Sequence, residues 1–227
     1  MNVWLKMGSS GCRLALTAFL AIAGCAGVRA EVVGMPEEND GIYGLARGYW
    51  FSAPVDFQIT GIHVLSGSWI GNSYMNWAVV RFNGALPPPN FPASTSDFVQ
   101  LGLRFNEPAD SFSAVRLNIS AGDVIGIYGN TSAEVGGIGD VSYGGPDVTA
   151  TIFGHTVALN RTGMQFDLTS TSSPLGMHDI WAEDGLISRV EFTYAAVPEP
   201  AVGILTLLLG GGLAVVRMRQ RSLKCSW

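Results

Sequence analysis

The chain has 227 residues, of which 48% are hydrophobic and only 14% charged, with 29 glycines and 11 prolines. A soluble domain usually carries nearer a quarter charged residues, so the composition indicates apolar ends, a weakly charged β-rich body, or both. Residues 31–196 hold six arginines, no lysine and 17 acidic residues, a net charge of −11 that argues against a nucleic-acid partner. Cys12, Cys25 and Cys225 all lie outside that stretch, so the body has neither a disulfide framework nor a thiolate metal site and depends on a buried core.

Residues 1–30 read as an export signal with a helical apolar centre. Lys6 and Arg13 supply positive charge, and Leu14–Gly24 is an apolar run of 11 residues, too short to span a bilayer comfortably. Val28-Arg29-Ala30 fits a cleavage site, which makes Glu31 the first residue of the mature chain. Ile22-Ala23-Gly24-Cys25 resembles a lipobox, and lipidation at Cys25 is the alternative.

The body, 31–196, carries strand signals in quick succession. In chain order, strands are predicted over 46–52, 56–65, 75–83, 99–105, 115–119, 123–129, 148–153, 155–160, 163–168 and 190–194. Val99, Leu101, Leu103 and Phe105 are expected on one face of their strand. Val115-Arg116-Leu117-Asn118-Ile119 alternates apolar with polar, and Val190, Phe192 and Tyr194 oppose Glu191 and Thr193. Turns are marked by Asn-Gly at 83–84, Ala-Gly-Asp at 121–123, Gly-Gly at 136–137 and Gly-Gly-Pro-Asp at 144–147. LPPPNFPAST (86–95) is expected to be a structureless surface loop. No segment of the body has a sustained helical period. The expected fold is all-β: a two-sheet antiparallel β-sandwich of jelly-roll type, flanked by the signal helix and a single C-terminal transmembrane helix.

Chemistry-bearing motifs are sparse in the body. His63, His155 and His178 are isolated, and there is no His-Glu-x-x-His helix, no Gly-x-Ser-x-Gly elbow and no phosphate loop. No catalytic residue, metal ligand or cofactor is therefore expected. In GMHDIWAEDG, His178, Asp179, Glu183 and Asp184 cluster, but without the regular oxygen spacing of a calcium loop, and a solvated acidic turn is the expectation. Tyr49, Trp50, Phe51, Trp69, Tyr74, Trp77 and Trp181 are candidate platforms for a sugar ring, although core packing is the usual fate of such residues, and Trp69 and Tyr74, in a Gly/Ser/Asn-rich turn, are the ones expected to be exposed. Three functional classes remain: a non-catalytic surface or matrix protein, a lectin-like module, and a secreted glycan-active enzyme whose two carboxylates come from distant strands.

The tail is more specific. Ala201–Val216 is an uncharged apolar run of 16 residues, spanning about 24 Å as a helix, a marginal membrane span that flanking arginines extend by snorkelling. The basic residues at 217–227 hold that end in the cytoplasm and the body outside. Before the span, Pro198 and Pro200 lack amide donors and disfavour helix in the preceding residue, so Val197-Pro198-Glu199-Pro200 is held extended where a processing enzyme can grip it. The motif at 197–200, the short apolar stretch at 201–216 and Arg217, Arg219 and Arg221 together closely resemble the PEP-CTERM sorting signal of Gram-negative bacteria. That resemblance covers about 30 residues and departs from the family in the extra SLKCSW after the arginines. It implies export through the translocon, temporary anchoring in the inner membrane with the body facing the periplasm, cleavage by an exosortase, and a mature form at the cell surface or in the extracellular matrix. It also implies association with exopolysaccharide or biofilm.

Overall fold

The structure, a computed structural model, describes residues 30–44, 46–68, 73–137, 139–164, 168 and 179–197. The expected signal helix before Ala30, the span at 201–216 and the basic tail lie outside the described residues. Among the described residues no helix is long and apolar enough to cross a membrane.

Short apolar–polar alternations separated by Gly, Pro and Asn turns leave the body one way to bury its apolar faces, which is sheet against sheet. Its strands are β1 (Glu31–Val33), β2 (Asp40–Tyr43), β3 (Arg47–Ser52), β4 (Phe57–Val64), β5 (Tyr74–Phe82), β6 (Phe98–Pro108) and β7 (Ser113–Ile119). They continue with β8 (Val124–Ser132), β9 (Asp140–Tyr143), β10 (Thr149–Ile152), β11 (His155–Ala158), β12 (Asn160–Met164), β13 (Ile180–Ala182) and β14 (Val190–Ala195). The smaller sheet has the order β1-β14-β4-β7 and the larger β13-β12-β3-β8-β5-β6. β9 joins the larger sheet through Thr131 of β8 and carries β2 on its other side, while β10 and β11 form a separate hairpin. The chain alternates between sheets, with β3, β5, β6 and β8 in the larger and β4, β7 and β14 in the smaller.

Between the sheets lies an aromatic core. Phe51 of β3 stacks on Phe192 of β14 at 5.8 Å, and Phe57 meets the edge of Tyr194 at 6.0 Å. Buried Tyr49 donates its hydroxyl across the sandwich to the carbonyl of Val190 at 2.7 Å. The larger sheet is apolar on its outer face as well, where Ala78, Val80, Phe82, Tyr128, Met164 and Ile180 form a second buried cluster. Having both faces covered explains why β8 is buried along its whole length and reads as the continuous apolar run Val124–Tyr128.

One expectation is corrected and two are amended. Val99, Leu101, Leu103 and Phe105 do not share a face. Val79 pairs with Gly102 but Val80 with Gln100, so Leu101 is an extra, bulged residue that reverses the alternation of β6. Leu101 turns to the inter-sheet core, Leu103 and Phe105 join the outer cluster, and Val99 is 43% exposed.

Segment 86–95 is a largely exposed loop with no strand of its own, as expected, but its backbone is tied down at Asn90 and Thr95. Phe82 pairs with Phe98, so the chain between them is an excursion that crosses to β13 and returns. Ala182 donates to the carbonyl of Pro89 at 2.7 Å, Phe91 donates to that of Ala182 at 2.9 Å, and Thr95 exchanges hydrogen bonds with Ile180. A proline-rich strap thus closes the edge of β13, where prolines stop any further strand from adding. Finally, β12 begins at Asn160, three residues before the strand expected over 163–168, because pairing with β3 selects polar residues that carry no apolar signal; residues 165–167 of that expectation lie outside the described residues.

Candidate functional site

Antiparallel pairing of β12 with β13 sets Thr162 opposite Ala182 and Gly163 opposite Trp181. One residue further on, Glu183 donates its backbone N–H to the carbonyl of Arg161 at 3.3 Å, which brings the two side chains together. Arg161 Nε donates to Glu183 Oε1 at 2.9 Å and Arg161 Nη1 to the carbonyl of Leu186 at 3.2 Å. The other carboxylate oxygen of Glu183 accepts from Trp181 Nε1 at 3.2 Å. Arg47 approaches the same carboxylate, its Nε 3.9 Å from Oε1, and its guanidinium lies 5.6 Å over the Trp181 ring. On the other side Arg161 stacks 4.9 Å over the ring of Tyr143. Burial pushes the Tyr143 phenol above its ordinary value, with Arg161 and Arg47 pulling the other way. Gly163 makes the cluster possible: a Cβ there would lie 2.7 Å from Trp181 Cζ2, so the indole lies flat against bare backbone. Phe91 of the strap closes on the Trp181 ring at 5.9 Å.

Beside this cluster is a cleft of about 150 Å³, lined by Trp50, Asn90, Asn160, Arg161, Glu183 and Asp184, with Asp147 at the same site. A more open hollow of about 320 Å³ shares Trp50 and Asn160 with it and adds Ser52, Pro54 and Thr156. Asn90 reaches the cleft because the strap bridges it to Ala182. Asn160 faces the same side as Trp50, its partner across the β3–β12 pair, and its amide lies 3.4 Å from the Trp50 carbonyl. The Trp50 indole nitrogen is enclosed and meets no acceptor among the described residues.

A second titratable group lies on the outer face of the smaller sheet. His63 Nδ1 is 3.4 Å from Glu191 Oε2, and its Nε2 is 3.1 Å from the carbonyl of Ala109. Both neighbours are acceptors, and only the doubly protonated ring satisfies both. The hydrogen bond to Glu191 accordingly raises the His63 pKa against the opposing effect of burial. The same bond, with the Met35 N–H at 3.2 Å, holds Glu191 below the usual carboxylate range.

Of the residues singled out from sequence, Val197 is 37% exposed, while Pro198, Glu199, Pro200, Arg217, Arg219 and Arg221 lie outside the described residues. Trp69 and His178 also lie outside them. Tyr74 is half-buried at the start of β5, opposite Pro108 and Ser132, and does not line the cleft. The acidic turn is more than a solvated loop, because Glu183 is tied to Arg161 while Asp184 stays exposed. Among the described residues no three His, Cys, Asp or Glu side chains form a metal-binding group. Of the aromatics proposed as sugar platforms Trp50 does line the cleft, whereas sequence reasoning missed Arg161, Asn160 and Asn90, polar residues up to 92 positions from Ala182 that only strand pairing assembles. Neither a protein-family model nor a curated protein matches this chain.

Proposed function

We propose that this chain is a non-catalytic exported protein, delivered by its terminal signals to the cell surface or extracellular matrix and processed at Val197-Pro198-Glu199-Pro200. The observation that carries this reading is the order of three tail elements: a proline-rigid motif, a short uncharged apolar run, and Arg217, Arg219 and Arg221. In this reading the translocon and an exosortase are the partners, and the inner membrane holds the precursor.

The body is consistent with that route. It is acidic and free of cysteine, so it needs no redox chemistry after export. We read its fold as a jelly roll, since β1-β14-β4-β7 faces β3-β8-β5-β6 with the chain passing back and forth between the sheets. β14 ends at Ala195, two residues before the motif, which leaves the motif next to a rigid strand.

The test is replacement of Pro198, Glu199 and Pro200 together by alanine in the native host. The expected result is an uncleaved, membrane-bound precursor. Mature-sized protein in the medium would show that the motif does not direct processing.

A further inference from the structure

We propose that the cleft beside Trp50 is a binding site for neutral oligosaccharide chains. This goes beyond sorting and does not depend on it, because it rests only on the folded body.

Three properties of the cleft select that ligand class. Its lining mixes hydrogen-bond donors and acceptors with an aromatic ring: the amides of Asn90 and Asn160, the carboxylates of Glu183 and Asp184, and Trp50. A sugar presents the matching combination, with hydroxyls that both donate and accept around an apolar ring face, whereas a purely apolar ligand would leave those amides and carboxylates unpaired. The charge is the second property. Asp147, Glu183 and Asp184 line the cleft against Arg161, and Arg47 faces Glu183 from beside it, which leaves an excess of one negative charge on a body of net charge −11. That field repels polymers rich in uronic acid, sulfate or phosphate and leaves neutral chains as the favoured class.

The third property is shape. The 150 Å³ cleft and the more open 320 Å³ hollow share Trp50 and Asn160 in their linings, so the two lie side by side. A polymer can occupy two adjoining hollows, with one unit in the cleft and a neighbour in the open part. The walls are set before any ligand arrives. Glu183 is fixed by Arg161 and Trp181, Asn90 is held by the strap on β13, and Asn160 is locked into the β3–β12 pair. Little ordering is left to oppose binding.

The experiment uses the full-length protein in a zwitterionic detergent that contains no sugar. Maltotriose, cellotriose and mannotriose are titrated against it, with tri-galacturonate as the charged comparison, followed by saturation-transfer NMR and tryptophan fluorescence. At least one neutral trisaccharide is expected to bind saturably and at least tenfold more tightly than tri-galacturonate. Asp184→Ala, a change at an exposed position, is expected to narrow that gap at an unchanged melting temperature. Asn160→Ala is expected to weaken the neutral ligand at least tenfold. Absence of saturable binding by every neutral trisaccharide overturns the proposal. So does tighter binding of the uronate, or unchanged affinity and selectivity in the Asp184→Ala protein.

Discussion

Glu183 is the residue on which the cleft cluster depends. It accepts from Arg161 and Trp181 and faces Arg47, so its charge offsets two guanidiniums that are themselves largely shielded from water. Replacing Glu183 by Gln keeps the shape but removes the charge, and it should lower stability by about 1–3 kcal/mol, read as a shift in urea midpoint. An unchanged midpoint would mean that the cluster is only a surface arrangement. His63 makes a different prediction, in pH. Its folded pKa is raised, so its contribution is full below its ordinary value of 6.5 and is lost as pH rises through the folded value. Glu191 is lowered, so its contribution is full above its ordinary value of 4.5 and is lost as pH falls through the folded value. The pair therefore acts most strongly between those limits. The midpoint difference between the parent protein and His63→Gln should be larger at about pH 5.5 than at about pH 9. A difference that grows with pH would contradict the geometry.

Gly163 links residue to element, because β12 and β13 approach in a way that only a bare backbone permits under the Trp181 ring. Gly163→Ala should displace the indole, shift its fluorescence and lower stability by about 1–3 kcal/mol. Native fluorescence with native stability would show that the ring has room to spare. The elements differ in how readable they were. β7 and β14 alternate as their residues dictate: Ile119 is buried beside exposed Asn118, and Val190, Phe192 and Tyr194 are buried. β6 does not, since the bulge at Leu101 depends on pairing with β5 and has no signature in β6 itself. β1, β2, β9 and β13, of three or four residues each, were missed, although the equally short β10 and β11 were anticipated at 148–153 and 155–160; each of the four is held by a neighbour already in place. The strap at 86–95 looked like a loop because its prolines suit one just as well. Its role becomes visible only once the edge of β13 exists. The cleft shares this difficulty, for Trp50, Asn90, Asn160 and Glu183 come from four separate segments and none carries a motif.

At the scale of the whole molecule, the chain enters and leaves the sandwich side by side. Glu31 lies opposite Tyr194, and the Tyr194 hydroxyl donates to the Glu31 carboxylate at 2.5 Å. Residues before β1 and after β14 therefore depart from the same corner. In the proposed route this corner faces the membrane, and cleavage at Ala30 would create the mature N-terminus beside the strand that leads into the sorting motif. A peptidase needs its substrate extended, so the bond after Ala30 is best cut before β1 pairs with β14. The most direct measurement is the intact mass and terminal sequence of the protein recovered from its native host. The account predicts a mature form that starts at Glu31 and ends at or near Val197-Pro198-Glu199-Pro200, found outside the cytoplasm. Full-length protein with both terminal segments intact, recovered from the soluble cell interior, would contradict it.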